Sequence, residues 1–217
     1  MTANSKVLDV YLRGSRNYVQ ASQILARSGE WLAHDLDQAH LKLAVAKFVR
    51  ITQCGVEAVL DPPDGGLAAA GPWIGEARYT SDEGLRIVRY RELTSAPAQR
   101  IADVPSRIAD FRQTGRLACK AQYSIAGSPE SFLAATIEIV KRLHGELAVG
   151  ICDIWFTGLA SAALPIRSNY DHDGTVTVTP LLERPQDGHL LTLSRVEIAS
   201  PNAVPPFNLG FSCRIAK

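Results

Sequence analysis

One pattern occurs twice in this chain, and that recurrence constrains the fold more than any single motif does. Tyr11-Leu12-Arg13-Gly14-Ser15 is mirrored by Tyr123-Ser124-Ile125-Ala126-Gly127-Ser128, and each stretch leads from a strand-like run into a segment of helical spacing. In the first half the run Val7 to Leu12 alternates. From Asn17 to about Ala33, Val19, Ile24, Leu25, Trp31 and Leu32 recur at helical intervals, with Ser15 as N-cap. Leu41 to Leu60 is rich in β-branched residues and predicts one long or broken strand, closed by Pro62, Pro63, Gly65 and Gly66. Trp73 to Tyr79 and Leu85 to Leu93 then form a hairpin around Ser81-Asp82-Glu83-Gly84.

The same order returns from Leu117. A connector rich in Ala, Arg and Pro precedes it and is predicted to carry a short helix at Val104 to Phe111. A second helix over Pro129 to Leu143 has Pro at its first turn and Glu130 near its positive end. Leu147 to Leu159 answers the strand from Leu41, and Thr175 to Glu183 with His189 to Ile198 answers the hairpin. Gly84 and Gly188 occupy matching places, and Arg91 and Arg195 follow them at equal distance. Phe207 to Ile215 reads as an extra final strand. The repeat is one of pattern rather than of letters. It predicts an α+β chain with a first unit over residues 1–95, a connector over 96–116 and a second unit over 117–217. A single helix against one antiparallel sheet cannot bury both sheet faces, so the two copies are expected to pair as a pseudo-dimer with the functional site between them.

Composition narrows the function. The chain has 217 residues, 46% hydrophobic and 21% charged, which is enough apolar material to bury a core. With 23 basic and 22 acidic residues and a net charge of +1, it has no electrostatic footprint for nucleic acid or anionic lipid. A neutral partner or small ligand is expected instead. Cys54, Cys119, Cys152 and Cys213 lie far apart, without the close pairs of a zinc site, and read as reduced thiols. No apolar run approaches the ~20 residues needed to cross a bilayer, and Met1 to Tyr11 lacks a signal-peptide core, so a cytoplasmic protein is expected.

An initial strand, a long helix and an antiparallel sheet, met twice, resemble the hotdog fold, and the whole chain resembles its double-hotdog members. The resemblance rests on element order and on the helix-entry segments Arg13-Gly14-Ser15-Arg16-Asn17-Tyr18 and Ala126-Gly127-Ser128-Pro129-Glu130-Ser131. It implies two tandem hotdog units, each a long central helix wrapped by antiparallel sheet. It also implies an acyl thioester ligand carried on coenzyme A or an acyl carrier protein, and hydrolysis or β-carbon hydration and dehydration without metal or organic cofactor. The hydratase branch is marked by an Asp and a His at the helix entry, where this chain has Arg16, Asn17, Tyr18 and Gln20. The thioesterase branch uses a carboxylate near the start of the helix or along it, and Glu130 and Glu138 fit that description.

The individual residues carry competing readings. Glu130 either takes a proton from water or complements the helix dipole. Glu138 lies about two turns further on and either shares that site or pairs with Lys141 or Arg142 in water. Asp153 interrupts an apolar strand and faces either a cavity or water. Tyr18, Gln20 and Gln23 are polar groups on a helix expected to be buried, which makes them candidates for ligand contact; Tyr18 is also the acid or base of a dehydratase-like alternative. Arg16, Asn17 and Ser128 complete the substrate-binding candidates, with Arg13 and Arg16 able to hold a phosphate or carboxylate. The amides around Arg16 to Tyr18 and Glu130 to Phe132 are candidates for an oxyanion hole. His34, His40, His144, His172 and His189 form no ligand-spaced pair, and no metal site is expected. A non-catalytic acyl-binding module and assembly into homo-oligomers through edge strands remain open.

Overall fold

A computed structural model of the chain describes residues 4–35, 40–62, 72–102, 107–125, 127–147, 151–166, 170, 172–199 and 204–215. It divides into two compact units, one formed by Met1–Pro105 with Leu164–Ser168 and the other by Ser106–Ala163 with Asn169–Lys217.

In the first unit β1 (Ser5–Leu8) and the two-residue β2 (Leu12–Arg13) lead to helix α1 (Ala21–Asp35). Strands β3 (Lys42–Phe48), β4 (Cys54–Leu60), β5 (Trp73–Ser81) and β6 (Gly84–Pro97) follow, then the short β7 (Arg100–Ile101). The sheet is antiparallel with the order β1-β4-β6-β5-β3. The run from Leu41 to Leu60 is therefore two strands, and they flank the β5–β6 hairpin rather than each other. Ile24, Leu25, Trp31 and Leu32 are buried at the helical spacing read from the sequence.

The start of α1 differs from the expectation. Ser15 does not cap it; Gly14 takes a left-handed conformation (φ 55°) and a linker from Arg16 to Gln20 intervenes before the helix begins. Tertiary contacts hold that linker. Arg100 donates to the carbonyls of Gly14 and Arg16, Leu12 N–H donates to Gln99 O (2.8 Å), and Val19 N–H donates to Thr52 O (2.8 Å). Gln23, at the first turn of α1, accepts from Tyr11 N–H through Oε1 (2.9 Å) and donates from Nε2 to Tyr11 O (3.1 Å). The buried amide thus replaces the ladder partners that the backbone at Tyr11 lacks. Leu164 and Pro165 form β11, which extends β3 by pairing with Leu43 and Lys42. A Cβ at Gly29 of α1 would lie 2.8 Å from Ile166 Cδ1, so the glycine permits this close approach.

In the second unit β8 (Arg107–Gly115) and β9 (Ala118–Ile125) precede helix α2 (Pro129–Leu147). Strands β10 (Ile151–Ala160), β12 (His172–Gln186), β13 (His189–Ala199) and β14 (Phe207–Ile215) complete it, in the antiparallel order β10-β14-β13-β12-β9-β8. Of the helix expected at Val104 to Phe111, residues 104–106 lie outside the described residues, and from Arg107 onward the chain pairs with β9 instead, a long-range ladder that overrides the local helical pattern. β8 carries a left-handed Asp110 (φ 46°) and register shifts, a bulge that disfavours further pairing at this edge.

The two hairpins are alike in sequence but not in topology. Both β6 and β13 lie third from β1 or β9, and Gly84 and Gly188 both have positive φ. Yet β5 lies on the β3 side of β6, whereas β12 lies on the β9 side of β13. β14 then fills the place that β5 holds in the first unit, so it is an integral strand and not an extra one. Arg91 accordingly pairs across strands with Glu57, whereas Arg195 pairs with Glu197 of its own strand (2.8 Å).

Replacing Gln23 with Ala strands both polar groups of Tyr11. A loss of about 2 kcal/mol in unfolding free energy is expected, read from urea denaturation midpoints at unchanged slope.

Candidate functional site

The start of α2 follows from local sequence. Gly127 turns the chain out of β9 with φ 68°, and Ser128 caps the helix, its Oγ accepting from Ser131 N–H (3.1 Å). Pro129 occupies the first helical position, where a missing N–H costs nothing. Glu130 comes next and is only 6% exposed. Acidic side chains are almost never buried to this depth unless they are paired.

From Glu130 the inner face of α2 runs over the sheet. Phe132 stacks on Tyr170 (4.5 Å between ring centroids) and meets Phe207 of β14 (6.1 Å). Thr136 is buried and donates back to the helix carbonyls of Phe132 (3.1 Å) or Leu133 (3.0 Å). Further along, His144 is fully buried: its Nδ1 lies 2.7 Å from Val140 O and its Nε2 lies 2.8 Å from Thr192 Oγ1 on β13. A carbonyl can only accept, so Nδ1 carries the proton and Nε2 of the neutral ring accepts from the Thr192 hydroxyl. The ring also packs against Phe211 (5.4 Å).

Thr192, Ser194 and Val196 alternate onto the buried face of β13. Thr192 sits beneath His144, and Val196 pairs with Phe207, which lies beneath Phe132. Ser194 therefore lies beneath the middle of α2, flanked by Pro180 of β12 and Leu209 of β14. Its Oγ is buried and has no hydrogen-bond partner. Leaving a hydroxyl in that state costs about 1–3 kcal/mol.

The first unit handles the same problem differently. Ser28 of α1 stands as far from its helix start as Thr136 does from its own, and it makes the same back-bonds, to Ile24 O (2.8 Å) and Leu25 O (3.2 Å). There the sheet answers with two tyrosines, whose hydroxyls lie 2.6 Å (Tyr79) and 2.8 Å (Tyr90) from Ser28 Oγ. Burial pushes Tyr79 up to about 12 and raises Tyr90 well above the usual phenol range, so both stay neutral. Ser22 holds the position in α1 that Glu130 holds in α2, and it too is buried.

Of the sequence-derived candidates, Glu130, Ser128, Glu138 and Asp153 belong to the second unit, and Arg16, Asn17, Tyr18, Gln20 and Gln23 to the first. Glu130 and Ser128 lie at the start of α2, while Glu138 is half-buried further along the same helix. Asp153 is exposed and faces Arg214 at 3.8 Å. Arg16, Asn17, Tyr18 and Gln20 belong to the linker before α1, with Asn17 exposed and the other three half-buried. The Gln20 amide, oriented to satisfy its neighbour, accepts from Arg16 Nη1 (3.0 Å) and Nε (3.1 Å). Gln23 is engaged by the backbone of Tyr11 at both ends of its amide. The expected oxyanion donors are largely committed: Ser131 and Phe132 N–H donate to Ser128, and Arg16 N–H donates to Arg13 O outside any helix start.

His34 is exposed, His40 pairs with Asp82 at 2.8 Å, and His189 lies 3.2 Å from Ser212. The side chain of His172 lies outside the described residues. Cys54, Cys119 and Cys213 are free thiols, and burial pushes Cys213 up to about 11. Among the described residues no cluster of three metal-ligating side chains occurs, and no helix is long and apolar enough to cross a membrane. Sequence reasoning missed the His144–Thr192 pair and Ser194; the regular inward alternation of Thr192, Ser194 and Val196 was the available signal.

No protein-family model and no curated protein matches the sequence. Solved structures do. A protein of Alicyclobacillus acidocaldarius described as having a hot dog fold matches with a TM-score of 0.53 at 10% identity, over 93% of this chain and 89% of the other. The chain has a hotdog fold. A candidate thioesterase II from Thermobifida fusca YX matches at a TM-score of 0.53 and 13% identity, over 98% of this chain and 92% of that one. A variant of the GphF dehydratase matches at 0.50 and 10% identity, over 97% and 89% respectively.

Burial holds His144 below the ordinary imidazole range, opposed in part by its bond to Val140 and by the charge of Glu183. The unfolded chain titrates this group near about 6.5. Below that pH the unfolded state takes up a proton that the folded state resists, so stability present above about pH 6.5 falls on acidification. His144→Gln is expected to flatten this dependence, measured as unfolding free energy against pH between about 7.5 and 5.

Proposed function

We propose that the protein acts on acyl thioesters, most directly by hydrolysis, with Glu130 as the general base. The observation that carries this reading is a carboxylate residue buried in the first turn of a hotdog helix. The structural neighbours include a candidate thioesterase and a dehydratase, which supports this reading by analogy of fold. In the reaction Glu130 takes a proton from water as the oxygen adds to the thioester carbonyl carbon. Collapse of the tetrahedral intermediate breaks the carbon–sulfur bond and releases a carboxylic acid and a thiol.

The proposal extends to a coenzyme A or acyl carrier protein thioester as substrate, in fatty-acid, polyketide or other secondary metabolism, and requires no metal or organic cofactor. It also includes use of the two units as a tandem pseudo-dimer, supported by the buried helix and antiparallel sheet that each contains. Arg16, Asn17, Tyr18 and Gln20 are retained as contacts to the carrier, since the anchored linker presents them at the surface or half-buried.

Glu130→Gln keeps the shape and removes the base. Thiol release from a panel of acyl-coenzyme A thioesters is expected to fall by about 10²–10⁴-fold with the melting temperature little changed. Unchanged release in this variant removes Glu130 from the role. Acyl-coenzyme A retained by the wild type without any release makes the protein a binding module instead.

A further inference from the structure

In the second unit Phe132 of α2 packs over Phe207 and His144 bonds to Thr192, and Ser194 lies between these two contacts on the sheet. Its hydroxyl is wholly buried and unpartnered, while Thr136 and Thr192 on the facing and neighbouring positions have partners. The comparable hydroxyl cluster of the first unit, at Ser28, is saturated by Tyr79 and Tyr90. An alanine at position 194 would leave no unmet polar group on this strand face, so the serine makes sense if something else supplies its partner.

We infer that Ser194 is a specificity contact for an acyl chain carrying a hydrogen-bonding oxygen far from its thioester, a distally hydroxylated or oxidised acyl group lodged beneath α2. The inference rests on the acyl-thioester reading and adds the class of acyl group. Distance sets where the oxygen lies. Glu130 is near the start of α2, and the helix position above Ser194 is about eight residues further on, which is roughly 12 Å at the rise of an α-helix. An extended chain advances about 1.2 Å per bond, so an oxygen at about the tenth carbon reaches Ser194 when the thioester carbonyl is beside Glu130. An oxygen at the third carbon does not.

The test is competitive retention in native mass spectrometry, with decanoyl-, 3-hydroxydecanoyl- and 10-hydroxydecanoyl-coenzyme A offered together to wild type, Ser194→Ala and Ser194→Cys. The wild type is expected to retain the 10-hydroxy thioester about tenfold over both others, and both variants to retain all three alike. Ser194→Ala is also expected to melt no lower than the wild type, because it removes an unmet hydroxyl. Equal retention by the wild type, a preference for the 3-hydroxy thioester, or a 10-hydroxy preference that survives in both variants overturns the inference and leaves the acyl-thioester reading standing. Retention of none of the three overturns both.

Discussion

A helix buried along most of its length must find a partner for every polar group it turns inward, and this requirement shapes both units. In the first, Gln23 and Ser28 face inward from α1; the backbone of Tyr11 takes one and the hydroxyls of Tyr79 and Tyr90 take the other. In the second, Thr136 satisfies itself on its own helix, and His144 reaches Thr192 on the sheet. In the second unit the hydroxyl of Ser194 stands outside this pattern, buried without a partner. Glu130, buried in the first turn of α2, belongs to the same unit, which is why the proposed chemistry is assigned there.

The contrast between the units is one of substitution at equivalent positions. Ser22 in α1 stands where Glu130 stands in α2, and the tyrosine cluster around Ser28 has no counterpart around Thr136. The first unit's interior is closed by aromatic side chains whose hydroxyls bond one another and remain neutral. Two units of one chain can differ in this way, one closing its interior with its own hydroxyls and the other holding a buried hydroxyl that the fold does not consume.

Much of the architecture was legible because its signals are local. Gly127, Ser128 and Pro129 announce the start of α2, and Asp187-Gly188 has the two positive φ values of a tight hairpin turn. The buried positions of α1 also follow the helical period. What failed was long-range. The start of α1 is displaced past Ser15 because Arg100, Thr52 and Gln99 hold the intervening linker, and no local pattern records those partners. Residues from Arg107 form a strand because β9 lies beside them, although their spacing suits a helix. The hairpins around Gly84 and Gly188 look alike in sequence, yet their first strands lie on opposite sides of the second, since a hairpin pattern does not state which sheet neighbour it meets. Among the site candidates, Glu130 was visible as a first-turn acid, but its burial was not. His144 looked idle because its partner, Thr192, is remote in sequence.

Hydrogen–deuterium exchange, with and without an unreactive thioether analogue of 10-hydroxydecanoyl-coenzyme A, tests most directly whether acyl thioesters engage the start and underside of α2. Slower exchange confined to residues 128–138 and 190–196 is the predicted result; protection centred on α1 and the Ser28 cluster, or no change anywhere at saturating analogue, contradicts the account.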